Sequence, residues 1–293
     1  MQGIIIENIS NLYKIKTQNQ IYNSTARGKL KKDDITPIVG DVVEFEVINE
    51  ENKSAVIEKI HERKVYIKRP KMANLTQLVF VVSSKDPKPD LLLLDKQLAF
   101  AQYLNLKAII VLNKIDLDDK KQFSHIRSIY EKIGYKVIET TANEEKGIDE
   151  LKKCLKNNIN AFSGNSGVGK STLINAIFSK TITQEGDISK KNKRGKNTTT
   201  SIKLYEIDKN TYIADTPGFS TFDISEIPSN QLEKCFIEFK NELQNCEFVG
   251  CTHIKEEKCG IKEAVNNNKI SKDRYERFCK IYNEIKEREE RKW

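Results

Sequence analysis

Short apolar runs separated by polar turns fill the first part of the chain. The turns include 31–34, rich in lysine and aspartate, and 49–52, rich in asparagine and glutamate. Strands joined by such turns predict a small antiparallel β-barrel, and barrels of this size include the OB-fold. The strand-like runs are 3–7, 12–16, 42–48 and 54–58.

Longer apolar runs alternate with apolar-faced helical segments in the middle of the chain. This alternation predicts a parallel sheet, in which ligands bind at the carboxyl ends of the strands. The predicted strands are 75–82, 108–112, 135–139, 159–163, 201–207 and 212–214, and the predicted helices are 91–103 and 171–178. The last part of the chain predicts helices at 229–243 and 271–291.

These patterns predict three domains: a barrel over 1–68, an α/β domain over 69–222 and a helical domain over 223–293. The apolar stripe of the final helix is typical of a packing face. Its basic residues Arg274, Arg277 and Lys280 offer an alternative role in contacting RNA phosphates.

Charge and hydropathy narrow the class of protein. Fifty Lys plus Arg against 42 Asp plus Glu give a net charge of +8, which favours a polyanionic partner. In the barrel region, basic residues cluster at 27–32 and 63–71, so the barrel surface is either a nucleic-acid-binding face or an ordinary solvated surface. The sequence has no signal-peptide pattern and no apolar run long enough to span a membrane, which indicates a cytoplasmic protein without membrane contact.

One glycine-rich segment fits the phosphate-binding pattern G-x-x-x-x-G-K-[ST] and lies between a predicted strand and a predicted helix. Glycines let the backbone approach phosphate oxygens, and the helix N-terminus favours an anion. Lys170 would reach the β- and γ-phosphates, and Ser171 would offer its hydroxyl to Mg²⁺. The candidate nucleotide contacts are Gly164, Asn165, Ser166, Gly167, Val168, Gly169, Lys170, Ser171 and Thr172.

An N-K-x-D motif, formed by Asn113, Lys114, Ile115 and Asp116, follows the predicted strand 108–112. A carboxylate at Asp116 can accept from both N1–H and the exocyclic amine of guanine, a donor pair that adenine lacks. Asn113 would bind the base or tie this loop to the phosphate loop, and the Lys114 stem would cover the ring. The motif therefore predicts a guanine nucleotide, GTP or GDP, and opposes an ATP-dependent factor.

Three further segments complete the candidate nucleotide site. Ala142, after the strand 135–139, is either a backbone contact for the guanine O6 or part of an ordinary turn. The basic segment 180–200 ends in a run of threonines and is interpreted as a switch loop, whose Thr199 would sense the γ-phosphate through Mg²⁺. In the motif D-T-P-G, Asp215 would hold Mg²⁺ through a water and the Gly218 N–H would contact the γ-phosphate.

Four residues near the C-terminus have the spacing of a zinc site: Cys246, Cys251, His253 and Cys259. Three thiolates and one imidazole suffice for a closed tetrahedral site, so one structural Zn²⁺ is predicted. The other cysteines, Cys154, Cys235 and Cys279, are interpreted as free thiols.

The order of these motifs is unusual, because N-K-x-D precedes the phosphate loop, as in a circularly permuted GTPase. With a barrel in front and the cysteine cluster behind, nearly the whole chain resembles the ribosome small-subunit-dependent GTPase family. The resemblance implies a GTPase that binds the small ribosomal subunit and its rRNA, hydrolyses GTP late in that subunit's maturation, and is stimulated by it. Nothing in the sequence demands more than a monomer, so a monomer is expected. In that family the cysteine spacing is the zinc signature.

The sequence departs from GTPase patterns at two catalytic positions. Phe219 stands where many GTPases have a water-orienting glutamine, and Asn197 stands where the resembling family has a histidine. The candidate catalytic residues are Lys170, Asn197, Thr199 and Gly218. Because Asn197 can orient water but cannot accept its proton, a GTP-gated RNA- or ribosome-binding module with little hydrolysis is the alternative.

Overall fold

The computed structural model describes residues 1–28, 36–118, 122–141, 146–185, 202–215 and 226–291. The described residues form two compact units. One contains 1–77, 148–162 and the described part of 171–220, and the other contains 78–147, 163–170 and the described part of 221–293.

The N-terminal part of the first unit is a closed five-stranded barrel, which confirms the sequence-based prediction. β1 pairs antiparallel with β2, β2 pairs antiparallel with β3, β3 pairs parallel with β5, and β4 pairs antiparallel with both β5 and β1. Tyr13, Tyr22 and Phe45 fill its interior with at most 2% of their surface exposed. The strands are β1 Gln2–Ile9, β2 Leu12–Lys16, β3 Ile21–Ala26, β4 Val42–Asn49 and β5 Ser54–Ile60.

The third strand was missing from the sequence-based prediction because β3 carries few apolar residues. Its inward positions are held by Tyr22 and the small polar Ser24. The chain then forms a hairpin of β6 Tyr66–Lys68 and β7 Lys71–Ala73.

Several basic side chains of the barrel region are neutralised by neighbours. Arg27 lies 2.6 Å from Glu58, and Arg63 donates to both carboxylate oxygens of the fully buried Asp41 at 2.7 and 2.8 Å. Arg63 is therefore a structural residue of the barrel exit. The basic turn at 29–32 lies outside the described residues.

The first unit also contains strands of the α/β region. β13 Thr211–Asp215 pairs parallel with β11 Ile159–Ser163 and antiparallel with β12 Lys203–Asp208. β12 also pairs with the barrel strand β1 through Glu7 and Lys203, whose side chains form an ion pair at 3.1 Å. The helices here are α3 Ile148–Leu155 and α4 Lys170–Glu185, which begins at the boundary of the units.

The second unit contains three neighbouring strands in the order β10-β9-β8, with β9 and β10 parallel. β8 is buried at all seven positions, as a strand with both faces covered must be. All but the helix Gln122–Ile133, which the sequence did not predict, agree with the predicted bounds to within two residues, and the elements confirm the predicted alternation. They are β8 Gln77–Ser83, α1 Leu91–Tyr103, β9 Lys107–Asn113, α2 Gln122–Ile133 and β10 Lys136–Thr140.

The C-terminal part of the second unit ends in α6 Lys272–Glu290, as predicted, preceded by α5 Gly260–Asn266. The helix predicted over 229–243 is instead a series of 3₁₀ turns, Ser229–Cys235, Ile237–Phe239 and Leu243–Asn245. Phe236 interrupts them in an extended conformation, and its ring packs 5.1 Å from that of Phe278. Tertiary packing of aromatic rings thus overrides the helical pattern.

Arg274 of α6 does not face solvent, contrary to its proposed contact with RNA. Its side chain is 1% exposed and donates to Asp95 of α1 and to Glu238. Arg277 donates to the same Asp95 at 2.5 Å, as does the hydroxyl of Tyr130 at 2.6 Å. This buried network joins the C-terminal segment to α1 and α2 within the second unit. Among the described helices, none is long and apolar enough to cross a membrane.

Candidate nucleotide-binding site and metal centre

The phosphate-loop residues form the turn between β11 and α4. Gly164 and Gly169 have φ of +138° and +95°, and a Cβ at these positions would meet the Val81 carbonyl oxygen and the Asn113 side-chain amide. Only glycine fits both positions, because the conformation and the space each exclude a side chain. The loop is anchored at its start by Gln97, which donates to the Ser163 hydroxyl at 2.9 Å.

Lys170 lies over the loop that it closes. Its ammonium group donates to the carbonyl oxygens of Gly164 and Asn165 at 2.7 and 2.8 Å. Burial lowers the pKa of Lys170. A bound phosphate would reverse this effect, because a nearby anion favours the charged form of the lysine. The loop residues Ser166 and Gly167 are exposed, and Val168 is buried.

Ser171 and Thr172 follow in the first turn of α4, and both side chains are exposed. Asp215 ends β13 and is half-buried. A hydroxyl and a carboxylate are the oxygen donors that Mg²⁺ prefers, so the donor chemistry of Ser171 and Asp215 fits this ion.

Asn113 joins the two predicted nucleotide-binding loops inside the second unit. Its side chain is 2% exposed, donates to the Val168 carbonyl oxygen at 2.9 Å, and accepts from the Thr140 hydroxyl at 3.0 Å. Of the two roles considered from the sequence, the structure shows the tie between loops. Removing either partner would leave a buried polar group unsatisfied, so the three loops hold one another in place.

The rest of the N-K-x-D motif forms a short 3₁₀ turn at Ile115–Leu117 after a left-handed Lys114 with φ of 63°. Asp116 is exposed, and one of its carboxylate oxygens accepts from the Thr141 hydroxyl at 2.6 Å. This bond fixes the orientation of the carboxylate. The geometry can present an acceptor to the two adjacent donors of a guanine edge.

From the sequence, Thr140 and Thr141 belong to the segment 140–143 that was predicted to support the base through Ala142, but neither threonine was given a role of its own. Their position at the end of β10 was the available signal, since the carboxyl ends of neighbouring parallel strands meet at one edge. Thr141 also forms a bridge with Lys146 that frames the segment containing Ala142. Ala142 itself, with Asn197, Thr199 and Gly218, lies outside the described residues.

The four predicted metal ligands come together near the C-terminus. The candidate ligand atoms of Cys246, Cys251, His253 and Cys259 all lie within 4.8 Å of one another. His253 directs Nδ1 toward two sulfurs, at 3.6 Å from Cys246 and 3.3 Å from Cys259. Three sulfurs and a nitrogen form the donor set of closed zinc sites, and this cluster could hold Zn²⁺.

Burial changes the pKa of the cysteine ligands, and a carboxylate lies beside the histidine ligand. Burial raises the pKa of Cys251 to about 12 and also raises the pKa of Cys259. A metal ion would reverse the effect, because coordination deprotonates thiols. The other ring nitrogen of His253, Nε2, lies 2.8 Å from a carboxylate oxygen of Glu233. Metal-bound histidines generally have such a partner, although the sequence could not indicate which acidic residue supplies it.

Cys154, Cys235 and Cys279 form no disulfide bond, as expected. Burial raises the pKa of Cys235 to about 12, which makes it unreactive at neutral pH.

A phosphate loop tied by buried hydrogen bonds to an N-K-x-D loop that precedes it in sequence defines a P-loop GTPase with permuted motifs. Comparison with protein-family models agrees with this class. The RsgA GTPase model matches residues 60–225, and the model of the RsgA N-terminal domain matches residues 2–57. The chain therefore belongs to the RsgA GTPase family.

Individual relatives are similar over their whole length. The chain is 41% identical over 295 residues to the small ribosomal subunit biogenesis GTPase RsgA of Clostridium botulinum strain Hall, covering 100% of both chains. It is 42% identical over 285 residues to the protein of the same name from Clostridium perfringens strain SM101, covering 97% of this chain and 98% of the relative.

Two solved structures have the same fold. The crystal structure of YjeQ from Thermotoga maritima has a TM-score of 0.85 and 34% identity, covering 97% of this chain and 98% of that one. YloQ, described as a circularly permuted GTPase, has a TM-score of 0.83 and 29% identity, covering 98% and 95%. The permuted order inferred from the motifs is thus a property of the fold.

Proposed function

We propose that this GTPase binds the small ribosomal subunit, hydrolyses GTP during late maturation of that subunit, and is stimulated by it. The observation that carries the nucleotide part is the buried Asn113 side chain, which ties the phosphate loop to the base loop. The ribosomal part is supported by the name shared by the full-length relatives.

In the proposed site, Asp116 selects guanine through its carboxylate, and Lys114 covers the face of the base with Ile115 behind it. The backbone N–H of Ala142 would donate to the guanine O6. The fixed orientation of the Asp116 carboxylate supports this assignment, because a preorganised acceptor loses little entropy on binding.

The phosphates are assigned to the loop 164–169 and to Lys170, whose ammonium already lies over the loop. Mg²⁺ would be held by Ser171 and Asp215, with Thr172 nearby in sequence, and it would neutralise charge on the β- and γ-phosphates. Thr199 and Gly218 are assigned to sensing the γ-phosphate. Asn197 is assigned to orienting the attacking water.

A structural Zn²⁺ is assigned to the cluster of three cysteines and His253. Four protein ligands leave no open coordination position, so the ion would stabilise the fold without entering the reaction. Within the C-terminal segment, the ion would hold the loop 246–259 beside the aromatic packing of α6.

The proposed partner is the rRNA of the small subunit. The protein is proposed to act in the cytoplasm as a monomer. The net charge of +8 supports a polyanionic partner. The ion pair of Arg63 with the buried Asp41 and the burial of Arg274 remove these two residues from the candidate RNA-binding surface.

The alternative function is a GTP-gated ribosome-binding module with little hydrolysis. Two residues favour it: Phe219 cannot orient water, and Asn197 cannot accept a proton. The two functions share the nucleotide site and differ only in turnover.

Both functions require that the bound nucleotide controls binding to small subunits, and this requirement can be tested directly. Co-sedimentation with purified small subunits is expected to be stronger with a non-hydrolysable GTP analogue than with GDP. The Asp116→Asn variant is the matched control, since an amide at this position favours xanthine over guanine. For that variant, the xanthosine triphosphate analogue should restore binding and the GTP analogue should not; equal binding in every nucleotide state would contradict the proposal.

A further inference from the structure

A segment outside the recognised motifs contacts both the base loop and the phosphate loop. This segment, Ser83 to Asp90, joins β8 to α1 and is called the strap below. Ser84, 6% exposed, donates through its hydroxyl to the Lys114 carbonyl oxygen at 2.9 Å. In return, the Lys114 ammonium donates to the Asp86 carbonyl oxygen at 2.6 Å. The strap therefore holds Lys114 at both its backbone and its side-chain end.

The same strap lies against the phosphate loop. A Cβ built on Gly167 would lie 3.5 Å from Cδ of Pro87, which is ordinary van der Waals contact. The side-chain amide of Asn165 lies 3.4 Å from a carboxylate oxygen of Asp90. Within the strap, the Ser83 hydroxyl donates to the Pro87 carbonyl oxygen at 2.7 Å and holds the turn in shape.

The conformation of Lys114 makes it dependent on these contacts. Its φ of 63° and ψ of 42° are in the left-handed region, which is uncommon for a residue with a side chain. Such conformations persist where the surroundings hold them. The Lys114 carbonyl oxygen also accepts from the Leu117 N–H at 2.9 Å within its own turn, and the Ser84 hydroxyl is the bond that ties it to the strap. Without the Ser84 bond, the peptide group after Lys114 would be held less tightly and the lysine stem would move more easily from the position above the base.

We propose that Ser84 is a positioning residue for nucleotide binding, which holds Lys114 in the left-handed conformation that places its stem over the guanine ring. The inference rests on the proposed guanine site and adds to it a residue outside its motifs. Ser84 does not touch the nucleotide in this account, so it acts only through Lys114.

Replacement of Ser84 by alanine removes one of the two hydrogen bonds to the Lys114 carbonyl oxygen, a loss of about 1 kcal/mol that corresponds to about a fivefold weaker GDP affinity. The experiment is isothermal titration of GDP into the full-length protein. Ser128→Ala is the matched control, because the Ser128 hydroxyl also donates to a main-chain carbonyl oxygen, that of His125 at 2.8 Å, but on the exposed face of α2. The control should keep the wild-type affinity.

A double-mutant cycle distinguishes positioning from a general structural effect. In a Lys114→Ala background there is no lysine stem to position, so adding Ser84→Ala should leave GDP affinity unchanged. A further fivefold loss in that background would overturn the inference, because Ser84 would then act independently of Lys114. The inference is also overturned if wild-type protein binds GDP and Ser84→Ala matches Ser128→Ala. Failure of the wild-type protein to bind GDP would remove the proposed function itself, together with this inference.

Discussion

The buried ionic network around Arg274 is predicted to make the stability of the second unit sensitive to the loss of this one side chain. Arg274 is 1% exposed and pairs with Asp95, which is fully buried, and with Glu238. Burial alone would lower the pKa of Arg274, but Asp95 and Glu238 raise it well above its usual value. Its guanidinium also lies 4.8 Å from the centre of the Phe236 ring.

Arg274→Met keeps most of the side-chain volume and removes the charge. Asp95 then keeps Arg277, whereas Glu238 loses its ion pair with Arg274. A buried pair broken on one side typically costs about 3–5 kcal/mol. The matched substitution is Arg291→Met, because Arg291 pairs with Glu287 at 3.7 Å on the surface with 80% of its side chain exposed. Exposed pairs contribute about 0–1 kcal/mol, so this control should be nearly neutral.

Hydrogen exchange followed by mass spectrometry is the appropriate assay, because it reports opening of individual segments in a chain of more than one unit. In Arg274→Met, amides of α1 and α6 should lose protection by at least about a hundredfold, corresponding to roughly 3 kcal/mol. The barrel amides should keep their protection. Equal protection of α1 and α6 in the Arg274 and Arg291 variants would refute the assignment.

Three further predictions concern the metal cluster, a carboxylate and the phosphate loop. Cys251→Ser should lower the zinc content measured by metal analysis and the melting temperature, whereas Cys279→Ser should change neither; full zinc content in the first variant would contradict the cluster. Hydrogen bonds from the Ser229 backbone and hydroxyl lower the pKa of Glu289 below 4.5, so its stabilisation is complete above that pH and is lost on acidification. The difference in melting temperature between wild type and Glu289→Gln should therefore shrink from pH 7 to pH 3. A difference that stays constant over this range would contradict a stabilising role of the ionised Glu289. Gly169→Ala should abolish GDP binding, whereas Gly134→Ala, also at positive φ but in open space, should retain it.

The phosphate loop and the cysteine cluster could be predicted from the sequence because their requirements are local. Glycine at a positive φ and ligands within fourteen residues leave a signature that no distant contact can alter. The permuted order was also readable, since it needs only the positions of the motifs. The buried strands β8 and β9 were predicted nearly to their ends because each is a continuous run of apolar residues.

Features that depend on distant partners could not be read in this way. Thr141 and Glu233 are 25 and 20 residues from the side chains that they orient. Arg274 lies 179 residues from Asp95, so a surface position was the natural expectation for an arginine on an amphipathic helix. The 3₁₀ turns at 229–245 follow from aromatic packing, which periodicity does not reveal.

Multiple-turnover phosphate release from GTP, with and without purified small ribosomal subunits, tests the central claim most directly. The account predicts slow release by the protein alone and strong stimulation by the subunits, which would supply or order what Asn197 lacks. The Asn197→His variant shows whether a proton acceptor at this position raises the basal rate. No stimulation of the native protein at saturating subunit, with release appearing only in the histidine variant, would contradict the claim and leave a GTP-gated binding module.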